Sequence, residues 1–179
     1  MTAAPDPARA DAQGSRPGWP GWARWPGWPG WLCSLALAIA PPVMRVALAL
    51  PFFRSGLTKW DGWLALSPAA QYLFEEQFRL HLFGQLVAYP FPDLIAWIDG
   101  AAEIALPVLL VIGLATRLSA LGLLIMVGVI QLTVPSGWAN FHLPWAGLAL
   151  GILALGPGAL SLDHLLARWR ASRSGVPGH

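Results

Sequence analysis

The sequence predicts an all-α fold: a polytopic membrane four-helix bundle, with an outer amphipathic helix and a disordered N-terminal leader rich in Trp, Pro and Gly. Three observations predict it. Only 11% of the 179 residues are charged and 56% are hydrophobic, whereas a soluble domain carries roughly 25% charged residues. The stretch from Ile104 to Val134 holds one charge, Arg117. A bilayer core takes about 20 apolar residues per helix, so this run is too long for one span and suits two short-linked ones. The break falls at Gly113-Leu114-Ala115-Thr116-Arg117, a turn with a cation. Further apolar stretches on either side supply a first and a fourth span.

The elements follow in order. Residues 1–31 form the leader, within which Trp19, Trp22, Trp25, Trp28 and Trp31 recur every third residue between Pro and Gly. A polyproline II helix has three residues per turn, which would put all five indoles on one face. Trp favours the membrane interface, and Arg16 and Arg24 favour anionic headgroups, so this ribbon reads as lying on the membrane surface. The bland reading is a low-complexity linker. Residues 32–166 form the four-span membrane domain, with spans at about 42–60, 94–114, 117–134 and 143–160, and residues 167–179 a polar tail. Pro41-Pro42 suits the start of a helix better than its middle, which leaves 32–40 as an interfacial lead-in. Arg45 then snorkels to the near surface. A span at 32–53 would instead bury it at a cost of ~2.5–3.5 kcal/mol. Ser67-Pro68 is a cap-and-first-turn pair. Phe74, Phe78, Leu82 and Leu86 recur at i, i+4, opposite Gln71, Glu75, Glu76 and Arg79. This predicts an amphipathic helix of about 20 residues on the membrane or capping the bundle.

Arginines set the topology. Arg9, Arg16, Arg24, Arg117, Arg168, Arg170 and Arg173 fall on one side; Arg54, Lys59 and Arg79 lie on or near the other. The positive-inside rule makes the protein multi-pass with both termini cytoplasmic. The clustering fits topology and leaves no basic stripe for nucleic acid. The lone Cys33 excludes an internal disulfide.

Charged groups inside the bundle are the candidate pocket residues. Asp99 and Glu103 are at i, i+4 on one face of span two. Carboxylates in hydrocarbon face a partner or a wet cavity. Glu103 therefore has two readings: a proton-handling or quinone-contacting acid, or an ion-pair partner of Arg54 or Arg45. Arg54 and Lys59 are anion-binding candidates or interfacial anchors, and Gly56 between them allows close helix approach. His81 and His142 fall on the outer side, 61 positions apart. They are a ligand pair or, on the bland reading, two interfacial histidines. No metal site is assigned. Asp163 with Ser161 caps a cytoplasmic helix starting near Leu162.

The chain resembles the DoxX-like family of small four-span membrane proteins over about 43–166. The residues that carry the resemblance are Met44-Arg45-Val46-Ala47 leading to Gly56-Leu57-Thr58-Lys59, Glu103 in span two, and Gly113-Leu114-Ala115-Thr116-Arg117. The last is Gly156-Pro157-Gly158-Ala159-Leu160-Ser161-Leu162-Asp163. The resemblance implies an all-helical protein of the bacterial inner membrane. Relatives are linked to thiosulfate:quinone oxidoreduction and to oxidative-stress or thiol-redox assemblies. Its leading implication here is a redox-associated accessory subunit. A pocket between the helices would accept a quinone, and a redox partner protein would supply electrons. The chain itself carries no complete catalytic set, so any catalysis is that of a subunit of a quinone-linked oxidoreductase. The rival readings are a non-enzymatic scaffold or assembly factor, and a small transporter or metal-handling protein. The last would need a homo-oligomer, because four spans are few.

Overall fold

The computed structural model describes residues 29–173. The chain divides into two compact units, Met1–Ser34 and Leu35–His179, and the second holds the bundle. The Trp ribbon, Trp19 to Trp28, lies outside the described residues. Gly30 and Trp31, read as leader, are helical.

Among the described residues, four helices are long and apolar enough to cross a membrane. Helix α1 is Gly30–Thr58. Residues 32–40 are thus helical and continuous with span one, which does not begin at the Pro41-Pro42 pair. Helix α1 also carries Pro51. Prolines persist inside membrane helices because neighbouring helices and local adjustments satisfy the freed carbonyls. Helix α2, Pro68–Tyr72, opens the connection, and Ser67 caps it by accepting from the Ala70 amide. A π-helical turn, Leu73–Gln77, continues it. The chain then leaves the helix and forms an antiparallel hairpin of β1, Arg79–Leu82, and β2, Gln85–Ala88.

This hairpin corrects the 20-residue amphipathic helix expected there. Phe83 and Gly84 both have positive φ, 51° and 80°, as a type I′ two-residue turn requires. Gly84 supplies one of these at little cost. The register is fixed by Leu82 opposite Gln85 and Arg79 opposite Ala88.

Helices α3, Pro92–Ile112, and α4, Thr116–Thr133, are spans two and three. A 3₁₀ turn, Pro135–Gly137, and a π-helical turn, Trp138–His142, lead into α5, Leu143–Leu155. The fourth apolar segment therefore runs from Pro135 to Leu155, earlier than 143–160. Helix α6, Leu162–Arg173, follows, so much of the expected polar tail is helical.

The buried core is thin. Leu48 and Phe52 of α1, Leu110 of α3, Leu123 and Val127 of α4 and Ile152 of α5 meet in it. Most large apolar side chains point outward instead, among them Ile98, Leu118, Ile125 and Leu150. A water-soluble protein does not leave a continuous apolar surface of this extent, and a bilayer covers it. Gly56 marks a close approach of α1 to α3. A methyl group there would stand 2.9 Å from Ile104 and 3.0 Å from the Glu103 backbone.

Candidate functional site

At one end of the bundle the helices splay around a cavity of about 400 Å³, within the range of small-molecule sites. Helices α1, α3, α4 and α5 form its sides. The α2 segment, the π-helical turn after it and Tyr89 close it over. Its walls are mostly apolar and aromatic, with Phe52, Phe74, Phe78 and Trp145 prominent.

Lys59, just past the end of α1, turns inward and is buried. Its ammonium group bonds Asp99 and also Glu103, the latter at 2.7 Å. The i, i+4 spacing on α3 brings both carboxylates to one cation. Glu103 is 4% exposed. Such a carboxylate needs a partner, because an isolated buried charge is strongly disfavoured. The ring of Phe74 lies 5.6 Å from the same ammonium, a cation–π contact. Glu103 is therefore paired with Lys59, not with Arg54 or Arg45. Arg54 is exposed and lines no part of the cavity.

His142 and Tyr89 line other walls. The Nδ1 of His142 is 2.6 Å from the amide oxygen of Gln131. An amide oxygen only accepts, so Nδ1 donates and Nε2 of the neutral ring is an acceptor. Gly137 leaves room for this ring, since a methyl group there would come within 2.7 Å of it. The Tyr89 hydroxyl bonds Thr133. Burial raises its pKa above the usual phenol value and the Thr133 hydrogen bond opposes this only in part, so Tyr89 stays protonated at neutral pH. Trp145 packs inside in tilted contacts with Phe52 and His142, ring centroids 5.1 Å and 5.8 Å apart.

The structure thus brings together Lys59, Asp99, Glu103 and His142. His81 is not among them. It sits on β1 with Nδ1 3.0 Å from the Leu132 carbonyl, outside the cavity. Among the described residues no three His, Cys, Asp or Glu converge on a metal position. Tyr89, Thr133 and Ser55 line the site although sequence reasoning did not select them. Tyr89 is held there by its bond to Thr133 and its contact with the Phe74 ring.

The opposite end is closed. Arg45 is 2% exposed and donates to the Leu160 carbonyl. It is buried where surface snorkelling was expected, because the loop after α5 folds over it. Gly113, with φ of 73°, leaves space for its guanidinium beside Ser161. Asp163 accepts from the amides of Ala115 and Thr116, both at 2.8 Å. It caps α4, while Ser161 alone caps α6 by accepting from His164. Burial would raise the Asp163 carboxyl, but the Thr116 and Ala115 hydrogen bonds and the nearby Arg45 charge together hold it below its ordinary value. Arg117 is exposed beside Gly156.

These features define a polytopic membrane protein with a partly polar cavity between its helices at one end. The DoxX family model matches residues 40–136. A protein of Haemophilus influenzae, described as uncharacterized, is 32% identical over 143 residues, covering 74% of this chain and 86% of the relative. The chain belongs to the DoxX family. No solved structure matches it.

Proposed function

We propose that the protein is an accessory membrane subunit of a quinone-linked redox system, with the cavity as its quinone site. The observation that supports this most is that one cavity combines apolar and aromatic walls with several polar groups: the Lys59–Asp99–Glu103 cluster, Tyr89 and His142. A quinone presents a flat apolar ring with an acceptor oxygen at each end. Reduction to the hydroquinone takes two electrons and two protons. A partner protein supplies the electrons. The Lys59–Asp99–Glu103 cluster would relay the two protons, Tyr89 would keep its proton and turn its O–H from Thr133 to a quinone oxygen, and His142 would accept a hydrogen bond from the reduced form. Membership of the DoxX family favours the bacterial inner membrane, and the arginine distribution turns the α3–α4 connection toward the cytoplasm.

The test is a visible and ultraviolet spectrum of the protein in mild detergent, with and without dithionite, followed by quinone extraction. Stoichiometric quinone in the wild type, lost in Glu103→Gln at an unchanged membrane level, is expected. A wild-type protein free of quinone, together with a Glu103→Gln variant that fails to accumulate, would mean that Glu103 serves packing and the protein acts as a scaffold.

A further inference from the structure

Helix α6 presents an apolar stripe that no described residue covers. At 100° per residue, Leu162, Leu165, Leu166 and Trp169 fall on one side. Their exposures are 40%, 58%, 39% and 52%. Arg168 lies well round from this stripe, and Arg173 stacks its guanidinium 4.0 Å from the Trp169 ring.

The position of the helix says what covers it. Its first turn is fastened to the loop between two spans. The Asp163 amide donates to the Gly113 carbonyl at 2.9 Å, and the Asp163 carboxylate holds the Ala115 and Thr116 amides. Span four ends at Leu155, a short connection away. The start of α6 is thereby held at the level where the spans leave the hydrocarbon. The medium there is the headgroup layer, which suits an apolar stripe backed by cations.

We propose that α6 is a lipid-docking helix. Its Leu162–Trp169 stripe lies in the headgroup boundary of the leaflet on the α3–α4 side, and Arg168 and Arg173 bind anionic headgroups. The one acid on the helix, Asp163, is engaged with α4 and does not repel them.

The experiment uses the full chain in nanodiscs, in a Cys33→Ser background with single nitroxide labels at Leu166→Cys and, on the far side of the helix, Ala167→Cys. Both positions are exposed, so the labels disturb no core packing. Discs contain phosphatidylcholine alone or with one-third phosphatidylglycerol. The expected result is an oxygen-accessible label at 166 and an aqueous label at 167, with the immersed fraction at 166 higher in the anionic discs. Replacing Arg168 and Arg173 by Gln lowers the ratio of immersed to aqueous label about fivefold per arginine. Equal aqueous exposure at both positions overturns the proposal. So does protection at 166 that appears only with two copies per disc, which assigns the stripe to a protein contact. Immersion indifferent to lipid charge overturns the role of the arginines.

Discussion

The bundle buries a cation at each end, and the two are used differently. Lys59 meets two carboxylates and faces open space lined with aromatic rings. Arg45 meets a backbone carbonyl, is hemmed in by Gly113 and Ser161, and keeps two of its nitrogens without a hydrogen-bond partner. The first cation is ion-paired and faces open space; the second has an acid, Asp163, within electrostatic reach but no direct ion pair, and its surroundings are filled. A buried charge at a structural joint needs only enough acceptors to be tolerated, whereas a ligand site needs polar groups left facing a void. The contrast separates two residues that look alike as isolated basic positions in apolar sequence.

The sharpest way to break this comparison is Lys59→Met. It leaves the buried Glu103 and the partly buried Asp99 without a counter-charge, and a loss of about 3–5 kcal/mol is expected, read as thermal unfolding in detergent. Adding Asp99→Asn and Glu103→Gln to the same chain should restore most of it. A Lys59→Met protein as stable as the wild type would mean that the cluster is not an ion-paired unit. Arg45→Met should cost less, about 1–3 kcal/mol, because one hydrogen bond is lost and unbonded nitrogens leave with it. Quinone content should be unchanged, and a quinone-free Arg45→Met would erase the distinction between the ends.

Asp163→Asn is expected to cost about 0.5–1.5 kcal/mol, because the amide keeps one acceptor oxygen and only one of the two bonds to Ala115 and Thr116 is lost. The sign of its pH dependence is fixed. The folded carboxyl titrates below its unfolded value, near ~3.9. Its contribution is therefore complete above that pH and disappears as pH falls through the folded value. The gap in melting temperature between wild type and Asp163→Asn should close as acid is added, and a gap that widens would contradict the assigned hydrogen bonds. Tyr89→Phe should leave stability nearly unchanged and weaken quinone binding about fivefold, the effect of one hydrogen bond. Unaltered binding, measured by titration of the extracted protein, would remove Tyr89 from the site.

The spans were legible because hydrocarbon imposes length and composition on every one of them. Asp99 and Glu103 stood out because acids there are rare. The hairpin was not legible for an arithmetical reason: Phe74, Phe78, Leu82 and Leu86 are four apart, and four is also a multiple of the strand period of two. The Phe83-Gly84 pair was the deciding signal, and it sits mid-pattern. The choice among Arg45, Arg54 and Lys59 as partner of Glu103 also lay beyond sequence. It depends on where α1 stops and how it is rotated, since Lys59 escapes the helical face by following its last residue, Thr58. Tyr89 reached the cavity only through the fold of the connection.

The depth of Glu103 carries an electrical consequence. It lies eleven residues into α3 from Pro92, or about 16 Å of helix rise. That is roughly half of a hydrocarbon core of about 30 Å. A proton entering from the cavity end and stopping at Glu103 crosses roughly half of the membrane voltage, worth about 1 kcal/mol per 100 mV. The proposed quinone reaction would thus draw on the membrane potential, a driving force that a protein in detergent lacks.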